Sequence, residues 1–218
     1  MKPRSSNHRN RALTLVEVML VIVLLALVAA ISLVALAAAK RKSSRIGCVQ
    51  NLQEIGLTYR VWEGDNGDKY PMGISVTNGG SMELVIIGNV LATFLVMSNE
   101  LSAPEVLHCP EDLAHVGTNS FAGLASSNIS YFVGVDVTNE TNPRMFLSGD
   151  DNFAIGGVPV KSGLLELSTN AAIAWTAARH VNQGNIGLAD GSVQQMTQDR
   201  LRQAFQQTGI ATNRLALP

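Results

Sequence analysis

Residues 11–39 read RALTLVEVMLVIVLLALVAAISLVALAAA, and this stretch decides the architecture. From Val18 to Ala39 there are 22 residues without a charge, and Ser32 is the only polar one among them. At 1.5 Å per residue such a helix is about 33 Å long, enough to cross a bilayer core of roughly 30 Å. Whole-chain composition dilutes the signal: of 218 residues 46% are apolar and 15% charged, below the usual quarter for charge. The span excludes an ordinary cytosolic enzyme. It leaves about 170 residues, enough for one domain with a modest core.

Charge is divided along the chain as sharply as hydropathy. Lys2, Arg4, Arg9 and Arg11 precede the span, and Lys40, Arg41, Lys42 and Arg45 follow it. With four basic residues on each flank, the positive-inside rule alone does not orient the helix; the leader, which has no acid and carries the α-amine, tilts to the cytoplasmic side. From Ile46 onward eight basic residues face sixteen acidic ones, a net charge of −8. Such a domain offers no basic stripe to track phosphates, so nucleic acid is not an expected partner.

Residues 1–45 admit three readings. A secretory signal would be cleaved near Ala39, after Ala37-Ala38-Ala39, although its apolar region would be longer than the usual 7–15 residues. An uncleaved anchor is the second. The third accounts for Ala12-Leu13-Thr14-Leu15-Val16-Glu17, which the other two leave without a role. Glu17 is the informative residue, because an ionisable group at the edge of a spanning helix is costly and marks function. The structural alternative is an interfacial acid favoured by a helix N-terminus.

Helical periodicity continues past the membrane. Cys48, Leu52, Ile55, Tyr59 and Trp62 fall on one stripe, and Glu63-Gly64-Asp65-Asn66-Gly67-Asp68 closes it with turn residues. One helix from about 13 to 63 is expected, half in the membrane. Farther on, Glu83–Met97 favours a helix interrupted at Gly88-Asn89, and Ile129–Val137 and Ala171–Ala177 read as strands. Asn185–Ala189 and Ser192–Met196, joined through Asp190-Gly191, predict a hairpin with a type I′ turn. A polar helix over Gln198–Gln207 follows, with a loosely held tail to Pro218.

Cys48 and Cys109 lie 61 residues apart, without a C-x-x-C pair. In an exported domain an even pair allows one disulfide, and two buried free thiols satisfy the sequence equally. Zinc held by His108, Cys109, His115 and His180 would need four ligands to converge without a motif. A hydrolase built from Cys109 or a serine with His180 and Asp190 has only residue type behind it. There is no Gly-x-Ser-x-Gly elbow, so no enzyme activity is expected.

Arg11-Ala12-Leu13-Thr14-Leu15-Val16-Glu17-Val18-Met19-Leu20 resembles the class III signal of type IV pilins and type II secretion pseudopilins. Here Ala12 stands for the family's Gly and Leu13 for its Phe. The resemblance implies cleavage by prepilin peptidase between Ala12 and Leu13, and N-methylation of Leu13. It makes Glu17 the fifth mature residue, pairing with the α-amine of a neighbouring subunit. It further implies an α+β, pilin-like lollipop: a leader (1–12), a transmembrane and polymerisation helix with its basic flank (13–45), and a periplasmic globular domain (46–218) built on a small antiparallel β-sheet.

The implied partners are the inner membrane, like pilin or pseudopilin subunits, the prepilin peptidase and a secretion or pilus assembly platform. The implied role is a structural subunit of a type II secretion or related filament system, placed as a single-pass protein of the inner membrane. The alternative is a secreted or anchored binding protein with an ordinary signal.

Cys48-x-x-Asn51-Leu52-x-x-Ile55-Gly56-Leu57, Cys109-Pro110-Glu111-Asp112, Ser130-Tyr131 and Gly149-Asp150-Asp151-Asn152 also resemble segments of a bacterial pseudopilin-like subgroup. The C-terminal signature of that subgroup, His, nine residues, then Asp-Gly, corresponds to His180, Asp190 and Gly191. His180 is expected to brace the hairpin by a hydrogen bond. No cofactor is expected, except that some secretion pseudopilins hold calcium in an acidic loop. The oxygen-bearing candidates are Asp150, Asp151 and Asn152, and less directly Asp65, Asn66 and Asp68.

Overall fold

The computed structural model describes residues 14–218; Ala12 and Leu13, the expected cleavage and methylation sites, lie outside the described residues. The chain divides into a unit ending at Lys42 and a unit comprising Ser43–Pro218. One helix, α1, runs unbroken over Leu15–Asp65.

In the first unit the described residues of the helix, taken by themselves, are exposed. Its large apolar side chains are between 45% (Val18) and 76% (Leu15) exposed. The one polar side chain of the span, Ser32, donates its hydroxyl to the Val28 carbonyl at 2.7 Å, so its polar group is satisfied within the helix.

In the second unit the helix buries the stripe legible in the sequence: Cys48, Leu52, Ile55 and Tyr59 are at most 1% exposed, and Trp62 is 5% exposed. Burying side chains of this size contributes about 1.5–3 kcal/mol each. The helix stops where its carbonyls are taken over. Asn66 Nδ2 donates to Trp62 O at 2.7 Å, and Gly67 and Asp68 turn left-handed.

Besides five short 3-10 turns, three further α-helices and nine strands complete the unit: α2 (Met82–Val85), α3 (Val90–Val96), β1 (Tyr131–Gly134), β2 (Phe146–Asp150), β3 (Phe153–Ile155), β4 (Val158–Pro159), β5 (Gly163–Ser168), β6 (Ile173–Trp175), β7 (Gly184–Leu188), β8 (Val193–Met196), α4 (Gln198–Gln207) and β9 (Thr212–Leu217). A six-stranded sheet has the order β5-β9-β1-β2-β7-β8, and a three-stranded sheet the order β4-β3-β6. Every pairing is antiparallel.

The larger sheet is covered on both faces, and its central strands are buried throughout. Alternation sorts the side chains. Tyr131, Val133, Leu147 and Ala216 join the α1 stripe in one core. Phe132, Phe146, Leu215 and Leu217 join Leu201 and Phe205 of α4, and Phe153 and Trp175 of the smaller sheet, in the other. Phe146 meets Phe205 edge-on with ring centroids 4.7 Å apart, and Phe153 stacks on Trp175 at 4.8 Å.

The interruption between α2 and α3 falls at Gly88-Asn89. Gly88 has φ +90° and its Cα abuts the backbone of Leu164, leaving no room for a side chain. Asn89 Oδ1 caps α3 by accepting from Ala92 N at 3.1 Å.

Two expectations are corrected. The turn between β7 and β8 is not type I′. Gly191 N donates to Leu188 O and Leu188 N to Ser192 O, and Gly191 alone in the turn has positive φ. This is a three-residue loop, a type I turn followed by a left-handed glycine. Its shape follows from tertiary anchors, since Tyr70 donates to Ala189 O at 3.0 Å and Arg60 donates to Asp190 O.

The second correction concerns the segment read as a loose tail. It is β9, an interior strand that pairs with β5 over six residues and with β1. Leu215, Ala216 and Leu217 are buried. Position near a terminus was outweighed by the burial those three side chains achieve.

Removing residues 212–218 would therefore separate β5 from β1 inside the larger sheet. The expected outcome, for the full-length protein in detergent, is loss of the cooperative thermal transition followed by circular dichroism. Leu215→Ala should retain the transition but lower stability by about 2–5 kcal/mol.

Candidate functional site

Two regions carry the chemistry, the start of α1 and a buried polar cluster beside Cys48. At the start of α1, Thr14 and Glu17 form a reciprocal capping box. Glu17 N donates to Thr14 Oγ1 at 3.2 Å, while Thr14 N and Oγ1 donate to Glu17 Oε2 at 3.0 Å each. Thr-x-x-Glu thus gives the helix a defined beginning and holds the Glu17 carboxylate toward the N-terminus. The sequence already contained this signal in the spacing of the two residues.

In the second unit Cys48 and Cys109 are joined by a disulfide, with Cα atoms 5.1 Å apart. Both are fully buried. The neighbouring motif residues fasten the same contact. Asn51 Nδ2 donates to His108 O at 2.8 Å, and Leu52 lies in the core. The Cys48-x-x-Asn51-Leu52 segment therefore bolts α1 to residues 107–110 covalently, by a hydrogen bond and by packing.

His180 lies against this bridge. Its Nε2 is 3.5 Å from Cys109 Sγ and 3.3 Å from Asp150 Oδ2. Its Nδ1 is 2.8 Å from Glu111 Oε2, and its backbone N donates to the same oxygen at 2.8 Å. Asp150 Oδ2 in turn accepts from Asn185 N at 2.7 Å and Asn185 Nδ2 at 2.9 Å. His180 lies 3.3 Å from Asp150, which in turn holds Asn185 near the start of β7. A cysteine, a histidine and a carboxylate stand in the order of a nucleophilic triad, but the cysteine sulfur is spent in the disulfide.

The backbone here is strained. His180, Val181 and Asn182 have φ of +51°, +54° and +58°. Left-handed geometry costs an L-residue roughly 1–2 kcal/mol, and three in succession need anchors. Glu111 holds one end through His180, and Arg45 holds the other by donating to Gln183 Oε1.

Beside His180, Arg179 is 6% exposed and sits between two carboxylates. Its Nη1 is 3.2 Å from Asp112 Oδ2, its Nη2 pairs with Asp151, and Nη1 also donates to Ser130 O at 2.9 Å. His115 Nδ1 lies 2.7 Å from the same Asp112 oxygen. Burial pushes the Asp112 carboxyl up, but Arg179 and the bonds from His115 and Ala114 N outweigh it and hold the group at about 2, against an ordinary 3.8. Asp112, His115, Asp151, Asn152 and Arg179 line an open cleft of about 480 Å³.

The remaining sequence-selected residues go elsewhere. His180 and Asp190 share no hydrogen bond or ion pair; Asp190 Oδ1 accepts from Ser192 N at 2.9 Å and shapes the turn. Gly191, left-handed, lies against the Arg60 guanidinium. Of the four residues considered for zinc, His108 turns Nε2 to His115 O and His115 faces Asp112, so the four do not converge.

Of the oxygens considered for calcium, Asp150 Oδ1 and Asn152 Oδ1 are buried without a hydrogen-bond partner. Asp150 is held by Asn185 and His180, Asp151 by Arg179, and Asn152 Nδ2 donates to Thr176 O at 3.3 Å. Of the other three candidates, Asp65, Asn66 and Asp68, Asn66 caps the end of α1 through Nδ2. Sequence reasoning passed over Arg179, although a lone cation after Thr176-Ala177-Ala178 and beside His180 was a signal for a buried pair.

Because the Asp112 carboxyl is lowered on folding, its contribution is complete above about pH 4. It is lost as pH falls through the interval from 3.8 to about 2, and is worth about 2 kcal/mol. Asp112→Asn should cost about 3–5 kcal/mol at neutral pH by leaving Arg179 underpaired. It should also flatten the acid limb of the stability profile over that interval, as read from urea midpoints in detergent. Reducing the disulfide should remove about 4 kcal/mol in the loop-entropy account.

Residues 7–38 match the family model described as the prokaryotic N-terminal methylation motif. The match covers the Thr14–Glu17 box and nearly all of the apolar span, and does not reach the C-terminal signature at His180, Asp190 and Gly191. No curated protein and no solved structure matches the chain. The motif thus opens an apolar helix that is long and apolar enough to cross a membrane, the arrangement of a prepilin-type N-terminal segment.

Proposed function

We propose that the protein is a pseudopilin-like structural subunit of a type II secretion or related type IV filament system. In this reading prepilin peptidase cleaves between Ala12 and Leu13, Leu13 is N-methylated, and the span joins a bundle of like helices on an assembly platform. The domain after the span faces the periplasm, and the protein is a building block rather than a catalyst. One observation carries the reading: a methylation motif opens directly into an apolar helix whose described side chains are exposed. Such a surface is stable only against lipid or other helices.

The Cys48–Cys109 disulfide supports an exported, oxidising location for the globular unit. An ordinary signal cleaved near Ala39 gains nothing from the structure, since α1 passes through Ala39 and Lys40 without a break.

Glu17 then has two partners in succession. In the single chain it caps its own helix through Thr14. In the filament the α-amine of a neighbour's Leu13 replaces a neutral donor with a charged one and fixes axial register.

The two roles separate by substitution. Glu17→Gln keeps an acceptor for the capping box and removes the charge, so insertion and leader cleavage should persist while filament assembly falls by at least 100-fold. Glu17→Ala should add a loss of about 1 kcal/mol in helix stability. Mass spectrometry of the mature N-terminus checks the processing: methylated Leu13 is expected, and a start at Lys40 would sink the proposal. Normal assembly of Glu17→Gln would reduce Glu17 to a capping residue.

A further inference from the structure

Directly after the apolar span come Lys40, Arg41 and Lys42. All three are exposed, and among the described residues none of them has an ion-pair partner. No acid lies between Glu17 and Glu54 in the sequence to neutralise them. The other basic residue of this flank, Arg45, is engaged, since it donates to Gln183 Oε1. From Ile46 onward acids outnumber bases by sixteen to eight, so a run of three cations is out of keeping with the chain that follows it.

Placement on the helix selects the partner. Successive residues of an α-helix point about 100° apart and rise about 1.5 Å each. Lys40, Arg41 and Lys42 therefore spread over about 200° of the circumference within about 3 Å of axial height, a collar and not a stripe. A second protein packed on one side of the helix meets one face and leaves the rest of the collar in solvent. Lipid headgroups surround a spanning helix at a single depth and meet all three. Helical Cα–Cβ bonds lean toward the N-terminus, so these side chains start back toward the span. There Ala37, Ala38 and Ala39 are small and exposed, which leaves room for the apolar stems while the charged ends reach the interface.

We propose that Lys40, Arg41 and Lys42 form a collar that binds the phosphate groups of anionic phospholipids in the leaflet where the span ends. Each lysine or arginine close to an anionic membrane surface favours it by about fivefold. Arg41 brings a planar fork that takes phosphate oxygens in pairs, and the two lysines act as point charges. A zwitterionic headgroup carries its own ammonium beside the phosphate, so the collar discriminates by net charge. The inference rests on the span crossing a bilayer and is independent of the filament.

The test offers the full chain, in nonionic detergent, equimolar phosphatidylglycerol and phosphatidylcholine and counts bound lipid by native mass spectrometry. A second sample has Lys2, Arg4, Arg9 and Arg11 changed to Gln, so that the collar is read without the leader. Both should retain phosphatidylglycerol over phosphatidylcholine by about 10-fold or more, and about 1 M salt should remove the preference. Adding Lys40→Gln, Arg41→Gln and Lys42→Gln to the second sample should bring the ratio to about one. An unchanged preference in that variant overturns the proposal. Glycerophosphoglycerol, the headgroup without acyl chains, should not compete at equal concentration; competition would mean a site for a soluble anion and overturns it too. So does self-association in pure phosphatidylcholine vesicles that the three collar substitutions abolish, since the partner would then be the acidic surface of a second copy. Flotation with vesicles after alkaline extraction tests the span separately. A chain that fails to float rejects the membrane reading, whereas one that floats without lipid preference rejects the collar alone.

Discussion

The globular unit is organised by the burial of one helical stripe. Cys48, Leu52, Ile55, Tyr59 and Trp62 occupy less than a third of the turns of α1, yet every element of the larger core touches the cluster they found. Their periodicity continues the helix out of the span without a new start. The stripe is held in register at both ends, by the disulfide and Asn51 at one and by the Arg60–Asp190 contact at the other. A helix fastened at two points some eight residues or more apart cannot rotate, so the sheet receives the same face at every turn.

Where regular structure gives out, charge takes over. The segment from residue 108 to 115 and the segment from 176 to 183 contain no strand, and their backbones depend on side chains for hydrogen bonds. Arg179, His180, Glu111, Asp112 and Asp150 supply them. Burying so many ionisable groups costs desolvation that each pair must offset. The return is conformational: a run of left-handed residues that no propensity would select is fixed in place, and His180 is aimed at the sulfur bridge.

The legibility of the sequence followed this division. The long helix, the break at Gly88-Asn89, β1, β6 and α4 were readable because each rests on a local period or a local stop signal. The β7–β8 hairpin was readable, but its turn was not. Asp190-Gly191 favours a two-residue turn in isolation, and the donors that extend it, Tyr70 and Arg60, are more than a hundred residues away in the chain. β9 went unread for a similar reason. Leu215 and Leu217 alternate correctly, yet nothing local says that a gap between β5 and β1 awaits them. Of the polar cluster the sequence offered His180, Asp150 and Asp112 as motif members, and withheld Arg179 and the pairing scheme, because ion-pair partners carry no spacing rule.

The position of β9 also bears on the order in which the domain can form. β1, β2, β7 and β8 are linked to one another through neighbours that precede residue 197, whereas β5 joins the larger sheet only through β9. Until residues 212–217 dock, β1 presents an open strand edge and β5 has no partner in that sheet. Closing that gap joins segments separated by roughly fifty to eighty residues, a non-local step that is slow compared with helix formation. Through that interval the chain displays an unpaired, apolar edge of the kind that recruits other strands. A folding intermediate with this lesion would be prone to pair with another copy of itself, so a chaperone or rapid docking of β9 would matter more to the yield of this protein than the stability of its finished sheet.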